Sequence, residues 1–595
     1  MRGPSRLNLL GKGIQGNPPA DDPVSPTIDE SPITINHDEV DVFGTIMQQV
    51  SLKQGIKLWG DKATASAMKE MKQMHDLSAF IPMDIKDLTR EDRIKALRTL
   101  IFLKQKRDDS IKSRTCIDGS PQRAYIAKED AASPTSSRDA IFIQGAIDAM
   151  EKRETGFADM PGAFLHTATD ENVIVLLTGE LCELMVRVSP KIYRKYVNIG
   201  RGGKPMLYVK LLKSVYGLMR SALLFYRKLK GELIKYGFTM NPYDPCTANM
   251  DTPKGQLTVQ WHVDDVKASC KDGFEITKLF SYLDNIYGNK VVAHRGKKGD
   301  YLGMIFDYTE PGILQIDMMA YIKTIFEDFP EEITRSSPTP ASDHLFKIRD
   351  EDDASFLPEE QAQKFHRTVA QLLFLSCRAR PDVATPVSFL TTRVKSPDED
   401  DWGKVRRVLQ YLKGTLYLKL RLEVTNLEEG EWFVDASHGI HWDCKGQTGA
   451  SLTLGKGAVI NASLRQKCNT KSSTESELVG VSDVISTVLW SLYYIQAQGY
   501  KMKSAKIYQD NKSTILLENN GKFSSSKRTK HIKHKYFFVT DKIEEGEVSV
   551  EYKPTTEMWT DINTKPKQGR SFRVDRSLMM NCPVDLPPSI GIKSI

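Results

Sequence analysis

The sequence lacks the features that mark zinc-binding, secreted and membrane-anchored proteins. Its eight cysteines are scattered and form no C-x-x-C pair, which argues against a zinc site and fits reduced thiols in an intracellular protein. It has no uninterrupted apolar run of 18 or more residues, so we expect no membrane span, and its first 30 residues lack the apolar core of a secretion signal. Neither sign of charge dominates, because a net charge of +7 permits a polyanionic partner without requiring one.

The composition is that of a globular protein with several domains. Of 595 residues, 40% are hydrophobic and 27% are charged, which is enough for several cores. Residues 1–44 are rich in Pro, Asp, Ser and Gly, so they predict a disordered leader. Beyond residue 50, helical and strand spacings of apolar residues follow one another, which predicts a mixed α/β architecture.

A pair of aspartates interrupts an alternating pattern in the middle of the chain. In QLTVQWHVDDVKASC (256–270), apolar and polar residues alternate, pause at Asp264 and Asp265, and alternate again. This period of two predicts a half-buried β-hairpin with two carboxylates at its tip. Carboxylate oxygens suit Mg²⁺, although a plain polar turn is the alternative interpretation.

A third aspartate turns this pair into a candidate metal site. Asp159 follows an apolar run in FADMPGAFLH (157–166) and precedes Pro161 and Gly162, which end regular structure. Carboxylates on neighbouring strands can hold two Mg²⁺ ions about 3.5–4 Å apart, the arrangement that catalyses phosphodiester synthesis.

A second set of acids lies in the last third of the chain. Asp435, Glu477, Asp510 and Asp561 each stand at a predicted strand end or helix start, where side chains from separate elements can converge. Four acids around two metal ions suit phosphodiester hydrolysis. Glu475 competes with Glu477 for this role, but the two point about 200° apart on a helix. Glu477 is preferred because it lies beside the apolar stripe, and the choice stays open at this point.

Ten motifs together resemble the reverse transcriptase–RNase H portion of a copia-type LTR retrotransposon polyprotein. HVDD, for example, is similar to the Y-V-D-D of that family. The motifs are FADMPGAFLH (157–166), KSVYGL (213–218), HVDD (262–265), YLGM (301–304), RARPDV (378–383), RRVLQYLKGT (406–415), SSTESEL (472–478), DN (510–511), RTKHI (528–532) and MWTDINTKP (558–566).

The resemblance implies a fold and a set of domains. The fold would be α/β (α+β), a right-hand polymerase followed by an RNase H-like domain. The implied domains are a leader at 1–44, fingers and palm at 45–315, a thumb or connection at 316–429, an RNase H-like domain at 430–566 and an extended tail at 567–595.

The same resemblance implies an activity and its partners. The chain would be an RNA- and DNA-directed DNA polymerase that also cleaves RNA in RNA–DNA hybrids, with two-metal phosphoryl transfer at both acid sets. Mg²⁺ would be the cofactor, with Mn²⁺ as an alternative. An RNA template, a DNA primer, the hybrid and dNTPs would be partners, and no membrane would be. A homodimer or a particle coat protein as partner stays open. The location would be intracellular, in a cytoplasmic particle, the nucleus or both.

Further roles follow from the resemblance residue by residue. Phe164 would lie under the sugar of the incoming nucleotide and exclude a 2′-hydroxyl. Lys112 and Arg114, predicted in a basic turn of a hairpin within 88–120, would meet the triphosphate. The basic helix 401–415 would contact the nucleic-acid backbone. His531, in a basic segment, would assist at the RNA–DNA hybrid.

Two departures from the family pattern raise an alternative function. His262 replaces the usual Tyr beside the aspartates, and residues 219–222 (MRSA) replace K-Q-A-P, with Arg220 as a candidate substitute for the missing Gln. These changes favour a catalytically impaired nucleic-acid-binding relic. The intact acids oppose that interpretation, and a hydrolase with only the RNase H site active is a third one.

Overall fold

The structure, a computed structural model of the chain, describes residues 50–105, 109–200, 202–288, 291–350, 352–521 and 534–586. The predicted leader 1–44 and His531 lie outside these residues. The α-helices of the described residues are Leu52–Trp59, Asp61–Asp76, Arg90–Lys95, Lys128–Ala131, Arg138–Met150, Glu180–Val188, Pro190–Tyr193, Ser221–Tyr236, Gly273–Ile286, Met319–Asp328, Glu359–Ser376, Ala384–Thr391, Glu399–Gly414, Ser473–Ala497, Lys512–Asn520, Phe538–Glu544 and Gly569–Met580.

The strands of the described residues form four sheets, named here by their place in the chain. The N-terminal sheet contains, in order, Val50–Ser51, Leu97–Gln105, Ile174–Thr178, Pro205–Leu211 and Phe80–Met83, with Ile111–Ile117 beside the second and Asn198–Ile199 beside the fourth. The central sheet contains Val292–Arg295, Glu154–Asp159, Asp265–Cys270, Gly255–His262, Thr247–Thr252 and Thr239–Met240. The bridging sheet contains Lys298–Tyr301, Met304–Asp307, Ile313–Asp317, Leu420–Val424 and Gly455–Lys456. The C-terminal sheet contains Ile460–Asn469, Lys445–Thr453, Glu429–Ser437, Ser504–Gln509 and Val548–Tyr552.

The hairpin predicted at residues 256–270 forms the middle of the central sheet. Its strands Gly255–His262 and Asp265–Cys270 pair antiparallel and turn through Val263, whose φ is 56°. The expectation of a half-buried hairpin is wrong, because the polar face is covered as well. Gln260 is 1% exposed and donates from Nε2 to the Tyr494 hydroxyl at 3.3 Å. Side chains from the other end of the chain thus bury the face that alternation had assigned to solvent.

The C-terminal sheet follows the predicted order of elements. The strands Glu429–Ser437, Lys445–Thr453 and Ile460–Asn469 are antiparallel, as expected. The strand Ser504–Gln509 then pairs parallel to Glu429–Ser437. The long helix Ser473–Ala497 connects the antiparallel part to the parallel part, since parallel neighbours need such a crossover.

The long helix Ser473–Ala497 has the length and apolar composition of a membrane span, and 67% of its apolar window is buried inside the protein. The helix contains no uninterrupted apolar run of 18 residues, because polar residues such as Ser482 and Ser486 interrupt it. Length and composition alone are weak arguments for a span, since a buried core helix has both.

One hydrophobic core runs through most of the C-terminal half. It joins Phe142 of the helix Arg138–Met150 to Leu314 of the bridging sheet, Leu409, Trp432 and Val481. The implied boundary at residue 315 falls inside the strand Ile313–Asp317. Most buried apolar residues beyond residue 315 belong to this core, whereas Leu478, Leu517 and Phe537 form a small cluster of their own.

The predicted extended tail is wrong for its first half. Residues Gly569–Met580 form a helix, with Phe572, Met579 and Met580 at most 2% exposed. Phe572 packs edge-on against Tyr411, with ring centroids 5.6 Å apart. These apolar residues at helical spacing bury the helix against the shared core.

Two candidate active sites

The first site is the central acid set, Asp159, Asp264 and Asp265, at one end of the central sheet. Asp159 ends the strand Glu154–Asp159, which pairs with Asp265–Cys270 so that Asp159 lies opposite Asp265. Asp264 occupies the hairpin turn, where its carbonyl accepts the Met160 N–H at 3.1 Å. Strand pairing therefore brings acids from distant parts of the chain to one edge.

Burial and mutual repulsion raise the pKa values of the central acid set. Burial raises the pKa of Asp265 to about 7, and the charges of Asp264 and Asp159 add to the effect. Burial and the charge of Asp264 also raise the pKa of Asp159, while the charges of Lys112 and Arg114 lower it. Repelling carboxylates whose oxygens are hard donors fit a divalent cation such as Mg²⁺.

Tyr216 connects the central acid set to the basic strand and to Phe164. Its hydroxyl donates to Asp264 Oδ2 at 3.4 Å. The Arg114 guanidinium lies over its ring at 5.3 Å from the centroid, and the Phe164 ring meets it edge-on at 4.6 Å. The sequence analysis names the motif KSVYGL and gives Tyr216 no role. A tyrosine, whose hydroxyl can bond a carboxylate, within a motif was the available signal.

A backbone contact beside Tyr216 joins the N-terminal sheet to this site. The Ile117 N–H donates to Tyr216 O at 2.7 Å. Gly217 has φ 94°, and a Cβ there would lie 2.0 Å from Ile117 O. Only glycine permits this approach, so the Y-G step of KSVYGL positions the strand Ile111–Ile117, which carries Lys112 and Arg114.

The second site is the C-terminal acid set, Asp435, Glu477 and Asp510. Asp435 lies in the strand Glu429–Ser437, Glu477 near the start of the long helix, and Asp510 directly after the strand Ser504–Gln509. One carboxylate oxygen of each lies within 4.8 Å of the others. Elsewhere in the described residues no three His, Cys, Asp or Glu side chains approach so closely, so the central acid set is more open.

The C-terminal acid set lines a cleft and contains an unsatisfied carboxylate oxygen. The cleft has a volume of about 590 Å³ and is also lined by His438 and Lys512. Burial, with the charges of Asp435 and Asp510, raises the pKa of Glu477 well above its usual range. Glu477 Oε2 is buried without a hydrogen-bond partner. A buried oxygen of this kind is costly unless a cation binds it, so the set fits a metal ion.

The geometry separates the two glutamates that sequence reasoning left in competition. Glu477 lies in the C-terminal acid set. Glu475 Oε2 instead accepts the Lys471 backbone N–H at 2.8 Å, at the start of the long helix. The two side chains point apart because they are two positions apart on a helix.

Asp561 stands beside the C-terminal acid set but is paired with lysines. Its Oδ1 lies 2.8 Å from Lys565 Nζ and its Oδ2 3.4 Å from Lys567 Nζ. Lys565 Nζ also lies 3.6 Å from Asp435 Oδ2. The structure therefore groups three of the four predicted acids and places a lysine between Asp435 and the fourth.

Comparison with known proteins indicates a family. A family model described as reverse transcriptase (RNA-dependent DNA polymerase) matches residues 83–341. The retrovirus-related Pol polyprotein from transposon TNT 1-94 of Nicotiana tabacum is 24% identical over 483 residues, which cover 79% of this chain and 34% of that protein. These matches support a copia-type retrotransposon reverse transcriptase as what the chain is similar to.

Another curated relative is similar to this chain at a comparable identity. The Pol polyprotein from transposon RE1 of Arabidopsis thaliana is 25% identical over 382 residues, covering 62% of this chain and 25% of that protein. The chain thus spans 34% and 25% of the length of these two curated relatives. The solved structure of the foamy viral protease-reverse transcriptase dRH in complex with ds DNA aligns at a TM-score of 0.45 and 11% identity, covering 83% of this chain and 70% of that one.

Two predicted contact residues lie elsewhere than expected. Lys112 and Arg114 belong to the strand Ile111–Ile117 and not to the turn before it. Arg220, the candidate substitute for the missing Gln, pairs with Asp170 at 2.9 Å and approaches Glu171 at 3.9 Å, and its role stays a prediction.

The basic helix expected to contact nucleic acid uses its charges within the protein. In the helix Glu399–Gly414, Arg406 pairs with Glu331 at 2.8 Å, and Arg407 donates to Thr339 at 2.9 Å. Lys404 and Lys413 likewise donate to backbone carbonyls of the connecting segment before the helix. These side chains anchor that segment, and contact of the helix with nucleic acid stays a prediction.

Proposed function

We propose that the chain polymerises DNA on RNA and DNA templates at the central acid set and cleaves the RNA of RNA–DNA hybrids at the C-terminal acid set. One observation carries the polymerase assignment: Asp159 and Asp265 lie opposite each other on paired strands, with Asp264 at the adjoining turn. The match of residues 83–341 to a reverse transcriptase family model supports the same assignment.

The residues present fit Mg²⁺ at both acid sets, with Mn²⁺ as an alternative. Asp159, Asp264 and Asp265 would hold metal at the polymerase site, and Asp435, Glu477 and Asp510 would hold metal at the hydrolytic site. When bound, such ions neutralise the charge that develops on the transferred phosphoryl group. Asp561 is a ligand candidate only if its lysine contacts are exchanged.

The remaining side chains of the polymerase site would bind and orient the nucleotide. Lys112 and Arg114 present cationic groups beside Asp159, where a triphosphate would lie. Phe164, backed by Tyr216, would limit the space at the sugar. Tyr216 donates to Asp264 and so restricts the orientation of that carboxylate.

The proposed partners follow from the two activities. An RNA template, a DNA primer, their hybrid and dNTPs would occupy the two clefts, with contacts mainly to the phosphate backbone. We place the protein inside the cell, in a cytoplasmic particle, the nucleus or both. A homodimer or a coat protein would be a further partner outside the two sites.

Primer extension on poly(rA) with the purified chain tests the polymerase assignment. The wild-type protein is expected to extend an oligo(dT) primer with Mg²⁺, and Asp264→Asn is expected to abolish extension while leaving the fold intact by circular dichroism. Equal amounts of extended primer from the two proteins would contradict the assignment.

A second variant separates the two activities and the two alternatives. Asp510→Asn should lose RNA cleavage and keep primer extension. Hybrid binding by a wild-type protein with neither activity would favour the relic. RNA cleavage without extension would favour a hydrolase with only the C-terminal site active.

A further inference from the structure

The lysine between Asp435 and Asp561 lies where a metal ion bound by both of these carboxylates would lie. Lys565 Nζ is 2.8 Å from Asp561 Oδ1 and 3.6 Å from Asp435 Oδ2, so the ammonium bridges the two carboxylates. An ion shared by Asp435 and Asp561 would have to displace this ammonium. Thr564 donates to the same Asp435 oxygen, which further restricts it.

The other acids near Asp435 are satisfied differently. Glu477 and Asp510 come within 4.8 Å of Asp435, and Glu477 Oε2 is buried with no hydrogen-bond partner. Glu477 is 5% exposed, and the cleft reaches it. Asp435 Oδ2 and Asp561 Oδ1 therefore already share a cation, whereas Glu477 Oε2 has none.

The contrast with the next lysine shows that Lys565 is placed differently. Lys567 Nζ lies 2.5 Å from Asp575 Oδ2 and 3.4 Å from Asp561 Oδ2. Asp575 belongs to the buried helix Gly569–Met580, so Lys567 is anchored away from the cleft. Lys565 lines the cleft and is 46% exposed, so its ammonium contacts the two carboxylates from the cleft, where ions or substrate would bind.

We propose that Lys565 is a built-in cation of the C-terminal site, which holds a single tightly bound metal ion among Asp435, Glu477 and Asp510. The ammonium takes the position of a second protein-held ion between Asp435 and Asp561. Entry of a second ion requires the lysine side chain to swing out of the cleft. This proposal deepens the hydrolytic function proposed above and rests on it. Lys565 thereby determines the metal stoichiometry of the site.

Mn²⁺ binding measured by electron paramagnetic resonance tests the proposal without relying on activity. The full chain carries Asp264→Asn and Asp265→Asn, so that the central acid set no longer contributes ions. This background is expected to bind one Mn²⁺, and Glu477→Gln in the same background should lose it. Adding Lys565→Met should create a second site, or tighten Mn²⁺ binding by at least about tenfold, because a nearby positive charge is removed.

Two further variants control for charge and for folding. Lys565→Arg keeps the charge and should bind one ion, as the background does. Lys567→Met removes a lysine from the other oxygen of Asp561 and should also leave one ion. Circular dichroism and thermal melts verify that each variant is folded.

Three outcomes would overturn the proposal. The first is binding of two Mn²⁺ ions by the background protein. The second is an unchanged number and affinity of bound Mn²⁺ after Lys565→Met. The third is an equal gain in Mn²⁺ binding after Lys567→Met. No Mn²⁺ bound by the background, with no difference in Glu477→Gln, would instead remove the metal site on which the hydrolytic function depends, and the lysine proposal with it.

Discussion

Individual carboxyl groups of the two sites are destabilising until a cation reaches them. Burial raises the pKa of Asp265 to about 7 and that of Asp435 to about 6. The free side chain titrates near 3.8, so the folded, metal-free protein holds these protons more tightly than the unfolded chain. The stability that this contributes is present at low pH and is lost as pH rises through about 7 and about 6.

Metal binding at both sites should therefore weaken in acid. A metal ion must displace the proton of Asp265 below pH about 7 and that of Asp435 below about 6. The raised pKa of Glu477 adds a further proton to be displaced at the C-terminal acid set. Between pH 7 and 6, the apparent Mg²⁺ affinity for primer extension should fall by up to about tenfold. Mg²⁺ titrations of both activities at several pH values measure this, and an affinity for primer extension that does not change between pH 7 and 6 would contradict it.

Replacing Glu477 by Gln should stabilise the metal-free protein. The amide removes a buried carboxyl group whose Oε2 has no partner and whose neighbours are acidic. We expect the Tm at pH 8 in EDTA to rise by roughly 2 °C, since the neutral amide removes a buried charge that Asp435 and Asp510 repel. Added Mg²⁺ should raise the Tm of wild type and not that of the variant at this site. A lower Tm of the variant in EDTA would show that the glutamate is stabilised by contacts of its own.

At the scale of elements, a buried ion pair fixes the central hairpin to a neighbouring helix. Lys267 Nζ donates to Asp148 Oδ2, and Ser269 donates to Asp148 Oδ1 at 2.6 Å. Lys267 lies two positions after Asp265 on the same strand, and side chains two positions apart share a face. The pair ties the strand that carries the site to the helix Arg138–Met150.

Breaking this pair should be costly. Lys267→Met leaves the buried Asp148 carboxylate without its main counter-charge, so the free energy of unfolding should fall by about 3–5 kcal/mol. The double variant Lys267→Met, Asp148→Asn should recover part of the loss. Urea unfolding measures both.

A surface pair serves as the matched control. Lys72→Met breaks the exposed pair of Lys72 with Asp76, at 2.8 Å, and should change stability by less than about 1 kcal/mol. Equal losses from the buried and the exposed pair would contradict the structural role of Lys267.

At the scale of the whole molecule, the end of the long helix locks the C-terminal region onto the central sheet. Gln498 Oε1 accepts the side-chain amides of Asn241 at 2.8 Å and Asn249 at 2.6 Å. Gln498 Nε2 donates to Gln144 at 2.5 Å, and the Arg153 guanidinium donates to the Tyr500 hydroxyl at 3.1 Å. Together with the shared core, these contacts set the relative placement of the two acid sets.

Gln498→Ala should loosen both sides of this contact at once. It removes the hydrogen bonds that Gln498 makes with Asn241, Asn249 and Gln144, and only a 3.4 Å contact with Tyr494 O is left to the Asn241 amide. An unsatisfied buried polar group costs about 1–3 kcal/mol. Hydrogen–deuterium exchange should rise in the strand Thr247–Thr252 as well as in the end of the long helix. Gln496→Ala is the matched control, because the Gln496 amide donates only to Met502 O among the contacts of the described residues. Faster exchange confined to the long helix would show that the two regions open independently.

Local pattern was enough to predict the elements that carry Asp264, Asp265 and Glu477. Alternation located the hairpin with Asp264 and Asp265, and the spacing of apolar residues located the long helix and favoured Glu477 over Glu475. These features depend on neighbours within a few positions, where strand and helix geometry act directly.

Only the tertiary structure decided what each charged group faces. The basic helix Glu399–Gly414 has the charges of a nucleic-acid surface, yet the acids and carbonyls that satisfy them come from other segments. The polar face of the hairpin is buried because Asp148 and Tyr494, from two distant helices, cover it. Asp561 is paired with Lys565, which also approaches Asp435. Periodicity along the chain determines which face a residue is on, whereas long-range packing determines whether that face meets solvent, a counter-charge or a metal ion.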